Sequence, residues 1–398
     1  MKRILFLTAR VPAPLDDGWK IRTFHLIKGF VQEGWQVDLL SFRGPEQQAS
    51  DFPELERMCK RMLLIVRAKA YAPKDLLLGL FTPMPFHVYN YRIPAMAAAV
   101  EEMTATTNYD FIQVEDVVMA QYAAKAGSRG GRILDMHNVE SSLLDRFAVN
   151  EPNPLKRMYA RITARKLRRY ERRVASLFHR ILVCSPEDGR LLGNNGLQTP
   201  VQVIPNGVDC DYFHPQPWDP SAQDLVFVGS MDYHANISGV LYFVQNILPL
   251  VWRINPRTRL TIVGKNPPEA ILRLAEERIT ITGRVADVRP FLARARVVVV
   301  PLLVGGGTRL KILEAMASAR AIVATPLGAE GLAIKDGEHL FLAEKVDDFA
   351  SKTCLLLENA ELCRSLGESA SAFARSNYDW SSITTRLRRD LPPLPGES

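Results

Sequence analysis

Cysteine is scarce in this chain. Five cysteines stand in 398 residues (Cys59, Cys184, Cys210, Cys354, Cys363), an odd number with no Cys-x-x-Cys pair. That argues against a disulfide framework or a thiolate zinc cluster and points to a reducing compartment. Long apolar runs are also lacking. Met1–Pro14 holds only the short apolar run of a first strand, with no small-residue cleavage site behind it, so no signal peptide is expected. No run approaches the length of a membrane span, and a soluble cytoplasmic protein is predicted. Helix-turn-helix, RNA-recognition and zinc-finger signatures are absent, so nucleic acid is not an expected partner. No Asp-x-Asp dyad is placed after a predicted strand to hold a divalent metal, and no metal site is predicted.

What is present is a core-forming chain with a basic surplus. Hydrophobic residues make up 47% and the formal net charge is +7. The length allows two or three domains, and the charge points to anionic partners such as a nucleotide or a phospholipid surface.

The most informative stretch is Val297–Ala317. Four consecutive valines ending at Pro301 predict a strand buried on both faces, as in a parallel sheet. A glycine turn follows, Gly305-Gly306-Gly307-Thr308, and then a helix through Arg309, Lys311 and Glu314 to Ala317. A strand, a flexible turn and a helix start form a phosphate seat, because the first helical N–H groups lack partners and the dipole favours an anion. Arg309 and Lys311 add two cations. Glu314 falls on the same stripe as Leu310, Leu313 and Ala317, the side expected to face the sheet. A carboxylate there needs a partner, either an arginine in a structural ion pair or two neighbouring hydroxyls of a ribose.

The rest of the chain alternates strands and helices. Ile4–Thr8, Gln36–Ser41, Arg61–Val66, Phe111–Gln113, Arg132–Asp135 and Arg180–Val183 read as strands of a first sheet. A helix over Trp19–Gly34 follows a loop in which Gly18, with Lys20 and Arg22, either forms a plain helix entry, the favoured reading, or meets an anion. His137 lies just past a strand carboxyl end, where ligands bind in such folds. After a Pro-rich link, strands read at Leu225–Val228, Leu260–Val263, Ile279–Ile281, Val297–Val300 and Ala321–Ala324, with a helix over Ile237–Ile254. Their loops offer Gly229-Ser230, Gly264-Lys265 and Gly283-Arg284-Val285. The predicted fold class is α/β, with two doubly wound, Rossmann-like domains facing each other across a cleft. The expected division is 1–205, a linker at 206–220, 221–376, and a closing segment 377–398 whose helix, Asn377–Leu391, packs back on the first domain.

Two segments bear on membranes. Within Ala70–Tyr91, Leu76, Leu77, Leu78, Leu80, Phe81, Met84 and Phe86 crowd around Pro83 and Pro85. They make either a helix tucked against its own domain or an exposed apolar patch for a membrane or lipid-bearing substrate. From Lys156 to Arg173 nine cations are broken by one acid, Glu171, with a partial apolar face of Met158, Tyr159, Ile162, Leu167, Tyr170 and Val174. Such a helix suits an anionic membrane surface, or simply a solvated face.

The motifs FVGSMDYHAN, LTIVGK, ITGRVADVRP, VPLLVGGGTRLKILEAMA and TPLGAEGL, supported by DDGWKIRTFHLIKGF, DMHNVE, VCSPED and VIPNGVD, resemble the GT-B fold glycosyltransferases of the large retaining family 4. GSMDY and DGWKIRTFHL resemble the subgroup associated with bacterial exopolysaccharide and exosortase loci. The resemblance implies no cofactor, a nucleotide diphosphate sugar as donor (a UDP-sugar ahead of a GDP-sugar), and a glycan or lipid-linked acceptor. It implies that Glu314 holds the ribose and that Gly306, Gly307 and Thr308 hold the diphosphate or sugar. It further implies that Arg284-Val285 grips the base, His137 lies against the transferred sugar, and Gly18 approaches the phosphates. Two departures stand out. Gly306 occupies the place of the family's other glutamate, eight positions before Glu314. The first loop of the second domain, Ser230–Asn236, lacks the family's Arg and Lys, leaving Arg309, Lys311 and Lys265 to meet the leaving group. No pair of carboxylates flanking a glycosidic bond, the hydrolase arrangement, can be identified. Alternatives are a nucleotide-sugar 2-epimerase of the same fold and a non-catalytic nucleotide-binding partner of another transferase.

Overall fold

A computed structural model describes residues 1–67, 82, 84–127, 130–217, 222, 224–304 and 310–391. The chain forms two compact units, Met1–Pro205 rejoined from Thr384, and Asn206–Ile383.

Unit 1 is built on a parallel sheet of β1 (Arg3–Thr8), β2 (Gln36–Arg43), β3 (Arg61–Val66), β4 (Phe111–Glu115), β5 (Gly131–Met136), β6 (Arg180–Val183) and β7 (Val201–Val203). Its order among the described residues is β3-β2-β1-β4-β5-β6-β7. The order reverses direction between β1 and β4, and in doubly wound sheets the crevice beyond the carboxyl ends at such a point takes the ligand. Unit 2 repeats the plan with β8 (Asp224–Val228), β9 (Arg259–Val263), β10 (Ile279–Ile281), β11 (Val297–Val300), β12 (Ala321–Ala324) and β13 (Phe341–Leu342), ordered β10-β9-β8-β11-β12-β13. Its switch point lies between β8 and β11. The valine strand is buried on both faces, as its sequence requires. The short strands β7 and β13 have too few residues to show a period, and sequence reading passes over both.

Two expectations need correction, and a third is narrowed. His234–Ile254 is, by length and composition, apolar and long enough to cross a membrane. Ala235, Val240, Phe243, Ile247, Leu248 and Val251 on it are buried, all but Ala235 in the main unit 2 core, as on the inner side of a core helix. Pro249, which has no N–H to donate, follows a π turn at Phe243–Ile247 that takes up the break. The closing helix is not one piece from Asn377. Ala360–Tyr378 stops at Asp379, whose side chain accepts from the N–H groups of Cys210 and Ser381, and a new helix runs over Trp380–Arg389. The basic helix Pro154–Ala175 turns Leu167, Tyr170 and Val174 into the unit 1 core, so that side is closed to lipid. Most of the Ala70–Tyr91 segment lies outside the described residues; Phe86–Tyr89 is a helical turn with Phe86 and Val88 buried.

Within unit 1 the last helix seats on the first. A side-chain carbon at Gly29 of the Gly18–Gln32 helix would fall 2.2 Å from Thr384, so only glycine permits the approach. Arg388 and Glu33 pair at 3.1 Å beside it.

Candidate functional site

In unit 1 the strand register lines up Thr8, Glu115 and Asp135 at the carboxyl edge of β1, β4 and β5. Glu115 is wholly buried. One carboxylate oxygen accepts from Gln113 Nε2 at 2.7 Å; the other accepts from Thr23 Oγ1 at 3.2 Å and lies 2.8 Å from His137 Nε2. Asp135 takes Arg22 through Nε at 2.8 Å and Nη2 at 3.0 Å, and Arg22 Nη1 donates to the carbonyl of Ile204 at 2.8 Å. Burial lowers the pKa of Arg22, but Asp135, Cys184 and Glu115 together outweigh it and the net direction is up, so this arginine stays charged. Lys20 pairs with Asp16. Arg22 therefore serves the interior and is not presented to an anion.

His137 lies beneath Trp19, ring centroids 5.4 Å apart, and the Arg10 guanidinium lies over Trp19 at 4.8 Å. Gly18 opens the helix that carries Trp19, capped by Asp17, which accepts from Lys20 N at 3.0 Å. Asp116, next after Glu115, has φ of +81°, a left-handed conformation uncommon for a side-chain-bearing residue and frequent at functional sites. Burial raises the pKa of Asp116 and of Glu115; for Glu115, Asp135 adds to the rise and His137 and Arg22 oppose it. Glu140, at the start of the next helix, is pushed up to about 7 by burial and by Asp116.

Ligand atoms of Glu115, Asp135 and His137 lie within 4.8 Å of one another, close enough for a cation. Arg22 already occupies both oxygens of Asp135, so the set is charge-compensated and a poor fit for a metal. In Asp209-Cys210-Asp211, Asp209 accepts from the N–H groups of Asp211 and Tyr212, and Asp211 faces Arg375 at 3.6 Å. That dyad serves its own loop.

In unit 2 the edge is closed up by glycines. The N–H of Gly229, just past β8, donates to Val263, and a side-chain carbon at Gly264 would collide with the Gly229 carbonyl at 1.9 Å. A carbon on Gly229 itself would fall 2.6 Å from Lys311 Nζ and 2.8 Å from Asn236 Nδ2. Lys311 donates to Asn236 Oδ1 at 2.7 Å and lies over the Phe227 ring at 4.2 Å; Asn236 in turn donates to the Ser230 carbonyl at 2.7 Å. Glu314 follows one turn later on the described helix, Leu310–Ala317. Burial pushes its carboxyl up to about 7, with Lys311 pulling the other way. Ser230 and Asn266 donate to Asp232, at 3.0 Å each, and hold its pKa low; Lys265 and Arg284 contribute from the neighbouring loops. Arg284 is exposed while Val285 packs on the core. Gly229, Ser230, Lys265, Arg284, Val285, Lys311 and Glu314 thus share one sheet edge, and Gly18 and His137 share one in unit 1. Gly306, Gly307, Thr308 and Arg309 lie outside the described residues.

Comparison with known proteins fits this plan. The family model described as Glycosyltransferase Family 4 matches residues 17–212, and that described as Glycosyl transferases group 1 matches 222–359. The chain is a family 4 glycosyltransferase with the GT-B fold. It is 21% identical, over 98% of its length and 100% of the relative's, to an uncharacterised 44.6 kDa protein in the cps region of Klebsiella pneumoniae. It is 29% identical to the phosphatidyl-myo-inositol mannosyltransferase of Mycobacterium leprae, over 47% of this chain and 52% of the relative; the chain spans about half the length of that relative. An Anabaena protein solved in complex with UDP and glucose superposes with a TM-score of 0.67 at 16% identity, over 98% of this chain and 99% of the other.

Sequence reading of this glycosyltransferase missed Glu115, Asp135 and Asn236, and left Arg22 between an anion contact and a plain helix entry. A signal for Glu115 was available. Gln113 and Glu115 alternate on one side of an otherwise apolar strand, and buried polar groups in a parallel sheet must find partners.

Proposed function

We propose that this glycosyltransferase moves a sugar, with retention, from a nucleotide diphosphate sugar, a UDP-sugar ahead of a GDP-sugar, to a glycan or lipid-linked acceptor in polysaccharide or cell-envelope glycan synthesis. The observation that carries the reading is Lys311. The first loop of unit 2 lacks the family's two cations, and the Lys311 ammonium bonds to Asn236 of that same loop, one helical turn from Glu314. A cation held there meets the charge that grows on a departing nucleotide diphosphate, the kind of fixed electrostatic aid that accounts for much of enzymatic catalysis. Glu314 accepts the ribose hydroxyls, Gly306, Gly307, Thr308 and Arg309 complete the phosphate seat, and His137 orients the donor sugar. The UDP-bound Anabaena neighbour supports the choice of base, and the cps-region relative supports the polysaccharide setting.

The test is a nucleotide-sugar hydrolysis screen followed by Lys311→Ala. Turnover should fall on the order of 10²–10³; native turnover would reject the assignment of Lys311. The cluster of Glu115, Asp116, Asp135 and Glu140 around His137 favours one second reading, a nucleotide-sugar 2-epimerase. UDP-N-acetylglucosamine incubated without acceptor would then yield a free epimerised sugar, and the transferase reading expects none.

The same proposal includes a peripheral site on the inner face of the membrane. Arg161, Arg165, Arg169 and Arg172 form an exposed stripe on Pro154–Ala175. At the turn into this helix, Phe147, Val149, Leu155 and Met158 are 49–75% exposed. Apolar residues beside an arginine stripe complement an anionic phospholipid surface.

A further inference from the structure

We infer that Glu115 is the positioning residue for His137: its carboxylate fixes the imidazole with Nε2–H turned into the fold and leaves Nδ1 for the bound sugar. The inference rests on the reading of His137 as the residue at the donor sugar, and deepens it.

The argument is one of donors and acceptors. Gln113 donates to one oxygen of Glu115 and Thr23 to the other, so both oxygens are engaged as acceptors, and the contact at 2.8 Å is completed by a proton on His137 Nε2. Burial and Asp135 push the Glu115 pKa up, and the bond to His137 and the charge of Arg22 are what oppose them. The neighbouring charges agree. Asp135 is matched by Arg22 across two hydrogen bonds, which leaves Glu115 as the carboxylate at this level of the sheet for His137 to meet. Asp116 and Glu140 stand on the following loop and helix, and Arg10 stands beyond Trp19. Trp19 restrains the ring from its face while Glu115 holds its edge. Among the described residues Nδ1 has no hydrogen-bond partner. A neutral imidazole bound this way offers an acceptor at Nδ1, suited to a sugar hydroxyl; the opposite tautomer would offer a donor. Which nitrogen carries the proton is set by the bond the other one makes, so Glu115 decides what the sugar meets without touching it.

The experiment is nitrogen NMR of the full chain labelled at histidine, seven residues in all. The His137 signals are assigned by their loss in His137→Gln. In the wild type Nε2 should carry the proton, and an unprotonated Nε2 overturns the inference outright. In Glu115→Gln, whose neutral amide both donates and accepts, the two ring-nitrogen shifts should move toward each other as the tautomers mix. Unchanged shifts would show that Glu115 does not set the ring. The wild-type measurement decides the matter if that variant fails to fold. With UDP-glucose as the probe, Glu115→Gln should lower kcat about 10- to 100-fold with KM little changed, and Glu115→Gln with His137→Ala should be no slower than His137→Ala alone. Additive losses would also overturn the inference. A wild type that releases no glucose from UDP-glucose counts against the donor reading only, because the ring-nitrogen result stands without turnover.

Discussion

Glu314 shows how one half-buried carboxyl couples folding to ligand binding. Its pKa is pushed by burial from an ordinary 4.5 up to about 7. Between those values the native chain holds a proton at Glu314 that the unfolded chain has released. This contribution to stability is therefore full in acid and is lost as pH rises through about 7. Glu140 is shifted the same way, so the comparison must be between chains. Glu314→Gln should match the wild type in thermal stability near pH 5 and exceed it near pH 8. UDP should bind the wild type more tightly as pH rises through about 7, because ribose hydroxyls donate to the ionised form. In the Gln variant the calorimetric affinity should be weaker and flat with pH. At this scale Glu314 was read on the wrong side of its helix. Ile312, Leu313, Ala315, Met316 and Ala317 face the core, and Glu314 stands half-buried beside Leu310 and Lys311, because a stripe drawn from Leu310, Leu313 and Ala317 alone is centred to one side of the true buried face. Glu115 was not legible, because its partners come from just past β5, from the first helix and from two residues back on its own strand, and only strand register brings them together. Lys311 was legible as a cation but not as the partner of Asn236, a contact spanning 75 residues.

At the scale of elements, the strands of both sheets read well, because continuous apolar runs between turn residues leave few other interpretations. The helix Pro154–Ala175 read poorly. Its apolar positions are real, but periodicity does not say whether they meet lipid or the protein's own core, and here the core takes Leu167, Tyr170 and Val174. What remains outside is the arginine stripe and the apolar turn. Cosedimentation with phosphatidylglycerol vesicles at low salt should therefore retain the protein. Arg161→Glu, Arg165→Glu and Arg169→Glu together should weaken binding by a factor of 100 or more, at about 1 kcal/mol for each basic residue lost near such a surface. Phe147→Ser with Leu155→Ser should weaken it less and leave the salt dependence intact. Background sedimentation of the wild type would remove the membrane from the proposal.

For the whole molecule, a division after residue 205 and a closing segment that returns to the first unit are expected from the sequence, but the contact that seats the return is not. The Pro-rich link is visible, but the return of the chain to unit 1 at Thr384 depends on Gly29 having no side chain. Gly29→Val should force Thr384 away and lower stability by about 1–3 kcal/mol, read as a drop in the unit 1 melting transition. Ending the chain at Ile383 should lower the same transition at least as far. An unchanged transition in both variants would mean that the helix is not part of unit 1's stability. The seating of the closing helix also sets an order of events during synthesis. Residues 1–205 leave the ribosome long before residue 384 is translated, and domains tend to fold as they emerge. The first unit must wait, its Gly29 groove uncovered, while the whole of the second is made, so nascent chains are most prone to aggregate or to engage chaperones in that interval.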